Sequence, residues 1–312
     1  MTFLDLYLTG DDKKTWLVWL IYLAILIGVY KIACWILSPL FVCAKYFCCR
    51  CRQDLNAKYG RRDGSSWAVV TGGSDGIGLE MCHQLADQGF NICIMSRSKD
   101  KIDSKLLEIK EKYPTCDTLA IQSDFSTMTS MQEYRDLVES TELKDLDIGI
   151  LCLNAGLSFI VPLDLVDDKK YETVFKVNGL HPAYLIKALA QKLLDRDKRV
   201  AVLFTSSVAA NLFTSGNSSY SATKAMISNY AESIHYELKA NIDVTVWEPG
   251  MVYSNIHLKD PPGLLTIETK KAVTDILNCL GKDRKTRGSL FFTLNPDIPP
   301  HWMAPGMAKS MR

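Results

Sequence analysis

From Ser66 onward the chain alternates short runs of apolar, often β-branched residues with longer stretches in which apolar positions recur every three or four residues. Runs such as Trp67 to Val70 and Val200 to Phe204 have the unbroken apolar character of strands covered on both faces. The pattern predicts strands at 66–71, 91–96, 118–122, 148–153, 199–205, 243–247 and 289–293, and amphipathic helices at 78–87, 101–112, 131–141, 171–194 and 220–240. Strand and helix alternation of this kind builds right-handed crossovers and a parallel sheet with helices on both sides. The predicted fold is α/β, a Rossmann-type doubly wound parallel sheet of about seven strands, preceded by a separate apolar segment.

No residue of that segment is charged from Trp16 to Tyr30; Lys31 then interrupts, and 32–44 is apolar again apart from Ser38, with Pro39 a predicted kink. A spanning helix needs roughly 20 apolar residues, so one transmembrane helix fits Trp16 to Ile36. Lys31 can snorkel near one end, with Trp16, Trp19 and Tyr22 toward one interface and Tyr30 and Trp35 toward the other. A cleaved signal peptide or a buried core helix is the weaker alternative, because the start has no net positive stretch and no small-residue cleavage site follows. Asp5, Asp11, Asp12, Lys13 and Lys14 precede the span, whereas Lys45, Arg50, Arg52, Lys58, Arg61 and Arg62 follow it against Asp54 and Asp63. The positive-inside rule then puts the following domain in the cytosol. The expected organisation is a short tail at 1–15, an anchor at 16–46, a basic Cys-rich juxtamembrane linker at 47–64, the α/β domain at 65–295 and a tail at 296–312.

Composition changes this picture little. With 36 Lys+Arg against 35 Asp+Glu, a net charge of +1 makes no electrostatic case for nucleic acid, and 47% hydrophobic residues exclude disorder. The mean hydropathy of +0.01 is high for a soluble enzyme because of the apolar excess at 16–44. Cys82, Cys93, Cys116, Cys152 and Cys279 are scattered singly, which suits buried free thiols in a reducing compartment. Cys48, Cys49 and Cys51 lack the second pair or nearby His of a zinc site. Beside Arg50 and Arg52 they have the setting of reversible palmitoylation, with unmodified thiols as the equal alternative.

The first predicted strand runs into Thr71-Gly72-Gly73-Ser74-Asp75-Gly76-Ile77-Gly78 and then a helix. Gly72, Gly76 and Gly78 permit a tight turn, close approach of backbone to a pyrophosphate and close helix–strand packing, while the N–H groups of the helix start face the anion. The second strand ends in Ser96-Arg97-Ser98. No acid stands there to select a free ribose 2′-hydroxyl, and the Arg97 guanidinium suits a 2′-phosphate, so NADP(H) is expected over NAD(H). The alternative for Arg97 is a solvated surface side chain. Further along, Ser207 ends a strand, and Tyr220 and Lys224 lie four apart at a helix start, on one face. An ammonium beside a phenol lowers its pKa from about 10 toward working pH, so Lys224 is expected to depress Tyr220.

With these motifs in order, the sequence resembles the short-chain dehydrogenase/reductase family over 66–293. The T-G-x-x-x-G-x-G loop is Thr71 to Gly78, the N-A-G turn is Asn154-Ala155-Gly156, the Y-x-x-x-K is Tyr220 to Lys224, and the P-G turn is Pro249-Gly250. The resemblance implies that Tyr220 protonates a carbonyl oxygen, Ser207 hydrogen-bonds it, and Lys224 also contacts the nicotinamide ribose. It further implies that Asn178 holds a water in a proton relay, that Asp124 contacts adenine, and that Ser74, Asp75, Ile77, Val252 and Ser254 help hold the cofactor. Two positions depart from the family pattern: Leu153 precedes the N-A-G turn in place of Asn, and Ser254, after Tyr253, replaces the expected Thr but keeps a hydroxyl.

The N-terminal segment, Ser96 to Lys99 and Tyr220 to Ala225 together look like the membrane 17β-hydroxysteroid dehydrogenase and very-long-chain 3-oxoacyl-CoA reductase branch, which implies reduction of a lipid-like ketone at the endoplasmic reticulum. A substrate lid is expected at Asn255 to Leu265, where Ile256, Leu258, Leu264 and Leu265 either meet a lipid-like ketone or pack on the helix layer. The tail from Leu294 to Arg312, with Pro296, Pro299, Pro300 and Pro305, is shorter than in that branch and has no apolar length for a second span. The expected partners are a lipid-like ketone and a membrane, with a homodimer left open and nucleic acid excluded. The alternative function is a catalytically silent nucleotide-binding scaffold; the joint presence of Ser207, Tyr220, Lys224 and Asn178 favours the enzyme.

Overall fold

The computed structural model describes residues 12–49, 51–238, 241–253 and 266–287, in two compact units, Met1–Cys48 and Cys49–Arg312. Helix α1 spans Asp12–Cys49. Within it Trp16–Ser38 has a mean hydropathy of 2.2 and at 1.5 Å per residue reaches roughly 35 Å, enough to cross a hydrocarbon core of about 30 Å. The helix continues past Pro39, which has no N–H for the Trp35 carbonyl; the Ser38 hydroxyl donates to that carbonyl at 3.4 Å.

The second unit alternates strands and helices. Its order is α2 (Leu55–Tyr59), β1 (Ser66–Thr71), α3 (Gly76–Asp87), β2 (Asn91–Ser96), α4 (Lys99–Lys112), β3 (Thr118–Gln122), α5 (Met131–Ser140) and β4 (Asp147–Leu153). Then come α6 (Asp168–Phe175), a π-turn (Lys176–Leu180), α7 (His181–Asp195), β5 (Val200–Thr205), α8 (Ser218–Glu237), β6 (Ile242–Trp247), β7 (Met251–Tyr253), β8 (Thr266–Glu268), α9 (Thr269–Cys279) and β9 (Lys285–Thr286). The sheet is parallel throughout, in the order β3-β2-β1-β4-β5-β6-β9. β7 and β8 form a separate parallel pair.

All six residues of β5 are buried, and their alternation feeds two cores. Ala201 and Leu203 join the core under α3, α4 and α9, while Val200, Val202 and Phe204 join the one under α5, α7 and α8. Such a strand must be apolar on both faces. The chain builds outward from β1 through β2 to β3, then crosses to β4 on the other side, so the C-terminal ends of β1 and β4 splay apart into the crevice where doubly wound folds bind ligands.

The stretch expected as a linker is fastened to the domain. Asp54 caps α2 by accepting from the Ala57 amide at 2.8 Å, and Leu55 and Tyr59 are fully buried in the first core. Gln53 donates to the Leu277 and Leu280 carbonyls at 2.8 and 2.9 Å, and Tyr59 donates to Asp243 at 2.8 Å. Nearby, Arg196 donates to both Asp147 oxygens (2.8 and 2.7 Å), to Ser66 and to the Tyr59 carbonyl. These groups gather at the N-terminal ends of β1, β4 and β6, away from the crevice.

The first three strands have the bounds read from the sequence. The expected single helix at 171–194 is divided by the π-turn, and the sheet takes its seventh strand from Lys285–Thr286. The expected strand at 289–293, the lid at 255–265 and Ser254 lie outside the described residues. Cys82, Cys93, Cys116, Cys152 and Cys279 are buried thiols outside any disulfide among the described residues.

Candidate active site

The crevice is a cavity of 720 Å³ lined from β1, β2, β3, β4, β5 and β6. At one end is the glycine turn. Gly72 (φ +68°) and Gly76 (φ +53°) adopt the left-handed backbone that favours glycine. A Cβ on Gly78 would stand 2.3 Å from the Gly72 carbonyl oxygen, so only glycine lets α3 approach β1 this closely. Thr71 ties the turn to the neighbouring strand: its Oγ1 accepts from the Asn154 and Ala155 amides at 2.9 and 3.1 Å. Asp75 caps α3 by accepting from the Gly76 amide at 2.7 Å, and the Ser74 and Ser96 hydroxyls meet at 2.9 Å.

Gly72, Ser74, Asp75, Ile77, Arg97 and Asp124 all line the cavity. So do Asn154, Ala155, Gly156, Pro249 and Val252, together with Ser207, Tyr220 and Lys224. Gly76 and Gly78 form the turn behind the wall. Asp124 accepts from the Ser126 amide and hydroxyl at 3.0 and 2.6 Å, which fixes the loop after β3. Lys101, on the first turn of α4, joins Arg97 at the β2 end of the cavity. The sequence reading missed it because lysine on an exposed helix start carries no motif. Ser123 and Thr205 also line the cavity, and their hydroxyl oxygens are buried without a hydrogen-bond partner among the described residues. Orphaned hydroxyls, a close-packed glycine turn and two cations beside a strand end without an acid make a site that fits a nicotinamide dinucleotide.

At the other end α8 delivers Tyr220 and Lys224. Lys224 is 4% exposed; its Nζ donates to the Thr205 carbonyl at 2.8 Å and lies 5.6 Å from the Tyr220 ring centre. Burial pushes its pKa down to about 8. The Tyr220 phenol is not depressed overall in this geometry. Burial raises the phenol, and the opposing influence is the hydrogen bond with Ser207. Ser207 in turn caps the short turn Val208–Asn211, accepting from the Ala209 amide at 3.1 Å.

Asn178 stands behind the wall. Its amide brackets one residue: Oδ1 accepts from the Leu157 amide at 2.9 Å, and Nδ2 donates to the Leu157 carbonyl at 2.8 Å. A Cβ on Gly156 would lie 3.3 Å from Lys224 Nζ and 3.4 Å from Asn178 Oδ1, which places these two side chains close together. A further residue that sequence reasoning missed is Glu248, fully buried ahead of Pro249. It accepts from Ser228 at 2.7 Å and Asn211 at 2.9 Å and pairs with Lys285 at 3.0 Å, joining α8, the Ser207 turn and β9.

The model of the short chain dehydrogenase family matches residues 66–262. Among curated proteins, the chain is 32% identical over 222 residues to a very-long-chain 3-oxoacyl-CoA reductase of Mycosarcoma maydis, a match covering 70% of this chain and 62% of that one. It is 32% identical over 259 residues to the mouse protein of that name, covering 79% of this chain and 80% of that one. Among solved structures, a 7beta-hydroxysteroid dehydrogenase superposes with a TM-score of 0.70 at 22% identity, covering 83% of this chain and 99% of that one. L-sorbose reductase from Gluconobacter frateurii, complexed with NADPH and L-sorbose, gives 0.55 at 24% identity, covering 62% and 71%. At such identities the structural matches speak for the fold, and the sequence matches carry the family. The chain belongs to the short-chain dehydrogenase family of oxidoreductases.

Proposed function

We propose that the protein is a membrane-anchored, NADPH-dependent reductase that converts a lipid-like ketone, a 3-oxoacyl-CoA or a 17-ketosteroid, to its secondary alcohol. The observation that carries this reading is the meeting of Ser207, Tyr220 and Lys224 in the same cavity as the glycine turn and Arg97. Bound in that cavity, the nicotinamide supplies a hydride to the carbonyl carbon. Ser207 and Tyr220 hydrogen-bond the carbonyl oxygen, and Tyr220 gives it a proton as the alcohol forms. Burial that keeps the phenol protonated suits a proton donor. Lys224, protonated below about pH 8, places a positive charge beside the phenolate left by that transfer and favours it. Asn178 holds the backbone N–H and C=O of Leu157 and stands beside Lys224.

Arg97 and Lys101 are the groups for the 2′-phosphate of NADPH. The relatives named as very-long-chain 3-oxoacyl-CoA reductases make that substrate class the first to assay. Trp16–Ser38 is the proposed anchor; the basic flank after it favours a catalytic domain on the cytosolic side, and the endoplasmic reticulum is the proposed membrane. The proposed organisation is the anchor followed by one reductase domain.

The deciding experiment follows NADPH oxidation by purified full-length protein with 3-oxoacyl-CoAs and 17-ketosteroids, using Tyr220→Phe as control. Turnover that disappears in the control supports the reading; no Tyr220-dependent turnover with any of them sinks it. Arg97→Asp should lower the NADPH over NADH preference by at least about tenfold, the scale of one charge-assisted bond. An unchanged ratio removes Arg97 from its role.

A further inference from the structure

The π-turn Lys176–Leu180 has Asn178 at its centre, and the hydrogen bonds around it depend on Pro182. The His181 amide donates to the Lys176 carbonyl, five residues back, so it is lost to Val177, the acceptor four residues back. The donor five residues ahead of Val177 would be residue 182, and proline has no N–H. Both helical partners of the Val177 carbonyl are therefore gone, at a residue only 8% exposed, where an unpaired carbonyl is costly.

The His181 side chain fills the gap, with Nδ1 3.1 Å from the Val177 oxygen. A carbonyl can only accept, so Nδ1 carries the proton and Nε2 is the bare nitrogen. His181 is fully buried. Burial, with a smaller push from the Lys224 charge, lowers its pKa to about 3 against the opposing bond to Val177, so the ring stays neutral. The ring also stacks on Phe125, centres 3.9 Å apart, and Phe125 and Val177 both line the cavity.

We infer that His181 is a positioning residue: its Nδ1–H replaces the backbone donor removed by Pro182 and holds the π-turn that presents Asn178 to the Leu157 backbone. His181 acts through Asn178 and touches neither substrate nor cofactor. The catalytic readout of this inference rests on the proposed reductase function; the structural readout does not.

A double-mutant cycle on the full-length chain tests it. His181→Phe keeps a ring against Phe125 and removes the donor. His181→Asn sets an amide nitrogen at the same branch point as Nδ1. Pro182→Ala restores an N–H five residues ahead of Val177, which makes the imidazole redundant. Hydrogen exchange of the segment 154–160, which contains the Leu157 amide, is followed alongside kcat for ketone reduction at saturating NADPH.

His181→Phe should speed exchange and lower kcat by about tenfold each, the scale of one lost buried hydrogen bond. His181→Asn should stay within about threefold of wild type, and the Phe substitution should change exchange by less than about twofold in the Pro182→Ala background. Equal losses in both backgrounds overturn the inference, as does an Asn variant no better than Phe, or no effect at all. If His181→Phe alone fails to fold, the Asn variant and the double variant still decide. A wild-type protein that reduces no ketone would sink the proposed function while leaving the exchange result to judge His181.

Discussion

The two ends of the sheet are built from the same strands to opposite rules. At the N-terminal ends, charges are paired: Arg196 is spent on Asp147, Ser66 and the Tyr59 carbonyl. Burial pushes Asp147 up, but the hydrogen bonds from Arg196, Ser66 and Arg61 outweigh it and hold the carboxyl well below its usual range. At the C-terminal ends, burial is left largely unopposed. Lys224 is pushed down, Tyr220 is pushed up, and the Ser123 and Thr205 hydroxyls lack partners among the described residues. One end lowers the free energy of the fold, and the other holds its groups away from their comfortable states, which is where chemistry is to be expected.

Mutations can set the two ends against each other. The largest effect should come from Tyr220→Phe, which removes the proposed proton donor. Turnover should fall by about a thousandfold or more, with Tm unchanged or raised; a mild loss of rate would refute the role. Next, Arg196→Met should cost about 3 kcal/mol of stability by stranding Asp147, with NADPH affinity preserved in the folded fraction. Denaturant titration measures the first and cofactor fluorescence the second. The loss should be greatest at neutral pH. A carboxyl held low by its partners contributes stability above its unfolded pKa and loses it on acidification, so wild type and variant should converge as pH falls below about 4.

A smaller effect of opposite sign is expected for Lys224→Met. Folding lowers this lysine from 10.5 to about 8. Between those values the unfolded chain holds a proton that the folded chain has released, so wild-type stability rises with pH through that window. Below it, the buried cation costs up to about 3 kcal/mol. The variant should therefore be inactive yet more stable at pH 7 and flat between pH 8 and 10.5 in chemical unfolding. A less stable Lys224→Met protein would mean that the bond to the Thr205 carbonyl outweighs desolvation.

Much of this architecture can be read from local pattern. Strands buried on both faces are apolar without alternation, which is why 66–71, 91–96 and 118–122 have the bounds expected of them. Ordered motifs also locate the turn at Thr71 to Gly78 and the Tyr220–Lys224 pair, because both functions are local in the chain.

What escapes the sequence is set by long-range contact or by single hydrogen bonds. Lys285–Thr286 has no apolar run and joins the sheet through its backbone beside β6. The segment 51–64 reads as a polar tether until Tyr59 is seen in the core and Gln53 on the end of α9. The π-turn keeps helical periodicity on both sides, so only the donor missing at Pro182 betrays it. Lys224 shows the same limit in energy: its spacing from Tyr220 predicts a depressed phenol, and the desolvation that reverses the direction appears only with the packing.

The scattered thiols turn the domain into its own clock. Burial pushes Cys82 and Cys93 far above the ordinary range, Cys116 up to about 11 and Cys152 up to about 12. Almost no thiolate is then available to a thiol reagent in the folded state. Cys34 and Cys51 are exposed, so their alkylation needs no opening, while modification of Cys82, Cys93 or Cys152 marks an excursion in which a strand or helix has left the core. Mass-resolved alkylation over time would thus report the opening rates of β2, β4 and α3 separately, without any added probe.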